Sequence, residues 1–147
     1  MKNSKNTLCV VGASGLLGSN ILKEALARDY TVHGTVRDLD APDKATFLNA
    51  LPNAAENLKL FRAEMAEEES FNSALSGADC VFIACLIPVY AGPSGKPARA
   101  MEDEQGYAEI IMPTVNGCLN IMRSDAKQGV KNVVICSNTS STNPLPP

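Results

Sequence analysis

Short apolar runs alternate with longer stretches of helical periodicity along this chain. The apolar runs fall at 7–11, 31–36, 58–62, 80–85 and 132–137, and each reads as a strand. Two of them, Cys80-Val81-Phe82-Ile83-Ala84-Cys85 and Val133-Val134-Ile135-Cys136, are apolar throughout, the pattern of strands covered on both faces. Helical stretches lie between the runs, near 15–28, 43–51, 70–75 and 103–128. In the first, Leu17, Ile21, Leu22, Ala25 and Leu26 recur at helical spacing, with Lys23, Glu24 and Arg28 elsewhere. Alternation of this kind predicts an α/β chain: a doubly wound parallel sheet between two helical layers, ending after about the fifth strand.

Three places break the rhythm. The segment from Val89 to Arg99 holds Gly92-Pro93-Ser94-Gly95 and Pro97, and reads as a loop. Pro113 interrupts the last helical pattern, predicting a kink or a late helix start, because proline lacks the N–H that a helix interior uses. Glu67-Glu68-Glu69 precedes a short helix around Phe71 and Leu75, and reads as a solvated helix start complementing the dipole. The chain ends Asn143-Pro144-Leu145-Pro146-Pro147, which continues neither a helix nor a central strand. That tail falls where a complete doubly wound enzyme would be expected to continue.

Composition narrows the class. The 147 residues are one domain's worth of chain, read as a single unit over 1–147. A net charge of -3 argues against nonspecific nucleic-acid binding, which needs clustered Lys and Arg. No apolar run approaches the ~20 residues that span a bilayer. The five cysteines, Cys9, Cys80, Cys85, Cys118 and Cys136, form no C-x-x-C pair and no metal-ligand spacing with His33. They read as reduced thiols acting as small hydrophobes in a cytoplasmic protein, with no metal site. His33, the one histidine, reads as structural or surface.

The chemistry concentrates after the first strand. Gly12-Ala-Ser-Gly15-Leu-Leu-Gly18 follows Thr7-Leu8-Cys9-Val10-Val11 and opens the first helix, a G-x-x-G-x-x-G spacing. A strand, a glycine turn and a helix N-terminus together let backbone N–H groups approach a pyrophosphate. Gly12 allows the exit from the strand, Gly15 leaves room for phosphate, and Gly18 permits close helix packing. Gly12, Ser14, Gly15, Leu16, Leu17 and Gly18 are therefore candidate cofactor contacts. The cofactor's identity rests on the second strand, which ends Thr35-Val36-Arg37-Asp38. An acidic residue about 20 positions after the motif favours NAD by accepting the ribose hydroxyls. Arg37 instead comes first, and its forked donors suit a ribose 2′-phosphate, with the Ser14 hydroxyl and the Lys44 ammonium in support. The reading is NADP ahead of NAD, with Asp38 as the counter-argument.

These residues carry a family resemblance. The matching runs are Val10-Val11-Gly12-Ala13-Ser14-Gly15, Gly18-Ser19, Tyr30-Thr31-Val32, Thr35-Val36-Arg37-Asp38, Leu51-Pro52 and Asn57-Leu58. Ser70-Phe71, Gly77, Val81-Phe82, Pro113-Thr114-Val115-Asn116-Gly117 and Ile121-Met122 follow. From about residue 7 to residue 138 the chain resembles the amino-terminal half of the extended short-chain dehydrogenases, a branch of the epimerase/dehydratase superfamily. Within them it is similar to the dihydroflavonol reductase and cinnamoyl-CoA reductase group. The resemblance implies a Rossmann-type sheet, NADP, and hydride transfer to or from a CH–OH or carbonyl group of a small-molecule substrate. It implies Arg37 and Lys44 at the 2′-phosphate, and Glu64-Met65 beside the adenine in place of the family's Asp-Leu. It also implies Ala84-Cys85-Leu86 along the nicotinamide-ribose side. Related folds pair through the helix corresponding to 103–128, so a homodimer is compatible with it.

The family's proton donor is a tyrosine with a lysine four residues later. Here Tyr30 is followed at that distance by Gly34, Tyr90 by Ser94 and Tyr107 by Ile111, so the place of that pair lies beyond residue 147. The family's catalytic serine falls on Asn138, which can donate a hydrogen bond but cannot relay a proton. Ser137 and Thr139 flank it, and Ser140 and Ser141 are more remote. Three readings stay open: part of an NADP-dependent reductase, an NADP-binding module without catalysis, or a degenerate product with little binding.

Overall fold

The structure is a computed structural model that describes residues 6–85 and 93–137, with the side chains of residues 42–44 not described. Five strands, β1 (Thr7–Val11), β2 (Thr31–Val36), β3 (Leu58–Arg62), β4 (Cys80–Ile83) and β5 (Asn132–Ile135), form one sheet. All neighbours run parallel, in the order β3-β2-β1-β4-β5. Parallel neighbours require a crossover, and the helices supply it: α1 (Leu16–Ala27) after β1, α2 (Pro42–Asn49) and α3 (Ala54–Asn57) after β2, and α4 (Asn72–Leu75) after β3. Between β4 and β5 come α5 (Asp103–Gly106), a π-helical turn over Tyr107–Ile111, and α6 (Met112–Gln128).

Alternation along β1 builds both layers. Leu8 and Val10 point to one face, where they pack with Leu22, Leu26, Val32 and Leu48 under α1 and α2. Cys9 and Val11 point to the other, among Phe71, Leu75, Val81, Ile83 and Ile121 under α4 and α6. The expected three-layer doubly wound fold is the one observed. The order in which strands are added reverses between β1 and β4, so the crevice above their carboxyl ends lies at the topological switch point.

Three local expectations are corrected. The apolar run at 132–137 yields a strand only over Asn132–Ile135, and it is not covered on both faces: Val133, Val134 and Ile135 are 38, 39 and 45% exposed. Edge position explains this, since β5 pairs with β4 and, among the described residues, with no further strand. The glutamate run is not a helix start. It is a turn with Glu69 at φ 62°, in which Glu67 takes a forked hydrogen bond from Arg62 and Glu69 pairs with Lys127 of α6. Leu17, expected on the buried stripe of α1, is 48% exposed, and Gly18, Leu22, Ala25 and Leu26 form that stripe instead. Pro113 does not delay the helix, since helical backbone runs on from Asp103 through Tyr107–Ile111 into α6. The irregularity it predicts is the widened π turn directly before it, which accommodates a residue with no N–H to give.

Candidate functional site: a dinucleotide groove at the switch point

A groove of about 460 Å³ opens above the carboxyl ends of β1 to β4. It is lined by Gly12, Ser14 and Gly15 from the glycine turn and by Thr35, Val36 and Arg37 from the end of β2. Ala63, Glu64 and Met65 follow from β3, and Ala84 and Cys85 from β4.

The glycine turn is held from both sides. Gly12 adopts φ +81°, a left-handed conformation that glycine enters at no steric cost. A Cβ there would stand 2.6 Å from the Cβ of Cys85, so the turn lies directly against the end of β4. The Ala13 N–H donates to the Thr35 carbonyl at 2.9 Å and the Gly12 N–H to the Thr35 hydroxyl at 3.2 Å. Thr35 thus anchors the turn to β2, a role that strand periodicity alone does not reveal. Gly18 is packed under the turn, where a Cβ would fall 2.1 Å from the Gly12 carbonyl oxygen.

This packing aims the start of α1 at the groove. Gly15 is its N-cap and, having no side chain, leaves the first-turn N–H groups uncapped. No acidic residue occupies that first turn. Unsatisfied N–H groups and the positive end of the helix dipole make an anion site here. A Cβ on Gly15 would meet nothing closer than the Gly12 carbonyl oxygen at 3.4 Å, so the space beside it is open for a ligand. Leu16 and Leu17, in that first turn, are 87 and 48% exposed and do not line the groove.

At the β2 end, Arg37 lines the groove and, among the described residues, has no ion-pair partner. Asp38 is turned into its own loop, where its carboxylate accepts the Asp40 N–H at 2.9 Å. At the β3 end, the Glu64 carboxylate accepts the Met65 N–H at 3.1 Å, and the Ser70 hydroxyl accepts from Glu64 N–H and donates to its carbonyl. At the β4 end, the Cys85 thiol donates to the Met65 thioether at 3.5 Å. Burial, followed by the neighbouring Cys118, pushes that thiol up to about 11, so it is a filler and not a nucleophile at neutral pH.

The structure therefore brings Gly12, Ser14, Gly15, Arg37, Glu64, Met65, Ala84 and Cys85 around one groove. The Lys44 side chain, Leu86, Asn138 and Thr139, together with Ser140 and Ser141, lie outside what is described. Ser137 follows β5. Neither Tyr30 nor Tyr107 lines the groove, and Tyr90 is outside the described residues. His33 is structural: its Nδ1 is 2.7 Å from the Ala74 carbonyl oxygen and its ring meets Phe61 edge-on. The five cysteines are free thiols, and no described helix is long and apolar enough to cross a membrane.

Comparison with known proteins agrees with this geometry. A family model described as NAD(P)H-binding matches residues 12–147. The chain is similar to dihydroflavonol 4-reductase of Dianthus caryophyllus, 39% identical over 137 residues that make up 93% of this chain and 35% of that protein. It is 38% identical to a cinnamoyl-CoA reductase of Medicago truncatula over 140 residues, 95% of this chain and 40% of that one. Among solved structures, Gre2 of Candida albicans in complex with NADPH matches at a TM-score of 0.65 and 26% identity, covering 88% of this chain and 36% of that one. The chain thus spans well under half the length of these relatives. On the groove, the sheet order and these matches together, the chain belongs to the NAD(P)H-binding family and is similar over nearly its whole length to the dihydroflavonol and cinnamoyl-CoA reductases.

Proposed function

We propose that this chain is the NADP-binding domain, over 1–147, of an oxidoreductase that transfers hydride to or from a carbonyl or CH–OH group of a small molecule. Arg37 carries the cofactor assignment. Its guanidinium lines the groove where the second strand ends and has no carboxylate partner among the described residues. Asp38, the residue that would favour NAD, is held by the Asp40 N–H. A guanidinium lining the same groove as Ser14 suits a 2′-phosphate, and Lys44 at the start of α2 adds a second cation in this reading. The NADPH bound by Gre2 of Candida albicans is consistent with it.

In this assignment the glycine turn and the backbone N–H groups at the start of α1, those of Leu16 and Leu17 included, hold the pyrophosphate, while the two leucine side chains stay outside the groove. Glu64 and Met65 flank the adenine, and Ala84, Cys85 and Leu86 face the nicotinamide ribose. When bound, NADP supplies the hydride acceptor or donor. The chain's own groups bind and orient it and exclude water from the groove floor. Asn138, with Ser137 and Thr139 beside it, takes the place of the family's serine near the substrate oxygen. A tyrosine and a lysine four residues on would complete proton transfer, and no tyrosine within these 147 residues has that lysine. Free thiols fit a reducing, cytoplasmic setting. The exposed stripe of α6 is the face through which two copies would pair.

Arg37→Gln tests the assignment. Losing a charge-assisted fork should weaken NADPH binding about ten- to a hundredfold and change NADH binding by less than about twofold. Equal losses for the two cofactors would count against a 2′-phosphate contact and against the assignment.

A further inference from the structure

The adenine side of the groove is shaped by a residue far from it in sequence. The segment Ala63–Met65 leaves β3 and turns along the groove, and its peptide groups are tied to several elements around it. The Ala63 N–H donates to the Val36 carbonyl at 3.0 Å. The Ser70 hydroxyl bridges both peptide groups of Glu64, at 3.2 Å from its nitrogen and 2.8 Å from its carbonyl oxygen. A further tie comes from α6, 55 positions away, where the Asn120 Nδ2 donates to the Met65 carbonyl at 2.9 Å.

Asn120 is 7% exposed, and a buried amide in a helix is retained at a cost unless it is hydrogen-bonded. One turn earlier, Gly117 leaves the space that Met65 fills. A Cβ at Gly117 would lie 2.6 Å from the Met65 Cε and 3.0 Å from its Cβ. The far end of Met65 can swing aside, but its Cβ moves only if the segment moves. With its carbonyl held by α6, Met65 donates its N–H to the Glu64 carboxylate at 3.1 Å, and both residues line the groove.

We propose that Asn120 is a positioning residue for cofactor binding: α6, through Asn120 and Gly117, fixes where the Glu64–Met65 peptide meets the adenine. The proposal rests on the NADP reading above. It makes the adenine end of the groove depend on a helix that lines no part of it.

The test compares the unaltered chain with Asn120→Leu, which keeps bulk and removes the donor, and with Gly117→Ala, which pushes Met65 from a second residue. Each is titrated with NADPH and with adenosine 2′,5′-bisphosphate, which carries the adenine half alone. Both variants should weaken both ligands by the same factor, about three- to tenfold, the worth of one lost positioning hydrogen bond. Amide exchange at Ala63–Met65 should rise in both by more than the fall in global stability measured in urea, a combination that a general packing defect would not give. If Asn120→Leu does not fold, Gly117→Ala decides, since alanine favours the helix where it displaces the segment. Unchanged affinity for the bisphosphate, or a loss confined to NADPH, overturns the proposal. Absence of binding to the unaltered chain overturns the NADP reading and this inference with it.

Discussion

Gly12 shows how much of the groove hangs on single residues. At φ +81°, with the Cys85 Cβ 2.6 Å from where its own Cβ would be, it admits no side chain without moving either the turn or the end of β4. Gly12→Ala should lower stability by about 2–4 kcal/mol in urea unfolding, the sum of left-handed strain and overpacking. A loss of less than about 1 kcal/mol would mean that the turn relaxes cheaply. This residue and Gly18 are legible from spacing, because strand, turn and helix leave glycine few alternatives. Thr35 is not. Its carbonyl and hydroxyl hold the Ala13 and Gly12 N–H groups, but in sequence it is one more β-branched residue in a strand. Asn120 is hidden for the same reason: an amide in a helical pattern gives no sign of the peptide it will meet 55 positions back.

At the scale of the element, α6 carries an unusual burden. Asp125 lies near its carboxyl end, 7% exposed, with its Oδ1 lacking a hydrogen-bond partner among the described residues, and close enough to Cys9 of β1 to raise that thiol further. Burial raises its carboxyl above the ordinary value of 3.8. The fold therefore favours the protonated acid. That contribution is fully present below the unfolded value, and it is lost as pH rises from 3.8 through the folded value. At neutral pH the buried carboxylate opposes folding. Asp125→Asn should stabilise the chain at pH 7 by on the order of 1 kcal/mol, and the gain should shrink toward zero near pH 3. Thermal unfolding of both proteins across that range measures it. A destabilised variant at pH 7 would mean that the carboxylate has a favourable partner. The helix itself was readable from its periodicity, and Pro113 announced an irregular start. Which polar residues it buries depends on the sheet face beneath it, and periodicity does not record that.

Across the whole molecule, apolar surface remains on one side. Tyr107, Ile111, Val115, Leu119 and Met122 recur every three or four residues along the π turn and α6 and are 39 to 54% exposed, with the exposed edge strand β5 following in sequence. A stripe of this kind promotes association unless something covers it. Leu119→Glu should shift sedimentation toward monomer and leave the urea midpoint within about 0.5 kcal/mol, as for a surface substitution. An unchanged concentration dependence would remove α6 as the pairing face. The architecture was visible in the alternation of runs and helices. The exposure of β5 was not, because a continuously apolar run describes a central strand whether or not its neighbours are present. The groove's candidate residues came from motif and resemblance. The convergence of Gly12, Ser14, Gly15, Arg37, Glu64, Met65, Ala84 and Cys85 on one crevice is what the fold adds, by placing the ends of four strands side by side. The central claim is that this crevice holds NADP, and calorimetric titration of the unaltered chain with NADPH and NADH tests it most directly. The account predicts saturable binding of both at one site, with NADPH tighter by at least about tenfold, the contribution of a charged fork to the 2′-phosphate. Tighter binding of NADH, or no binding of either, would contradict it.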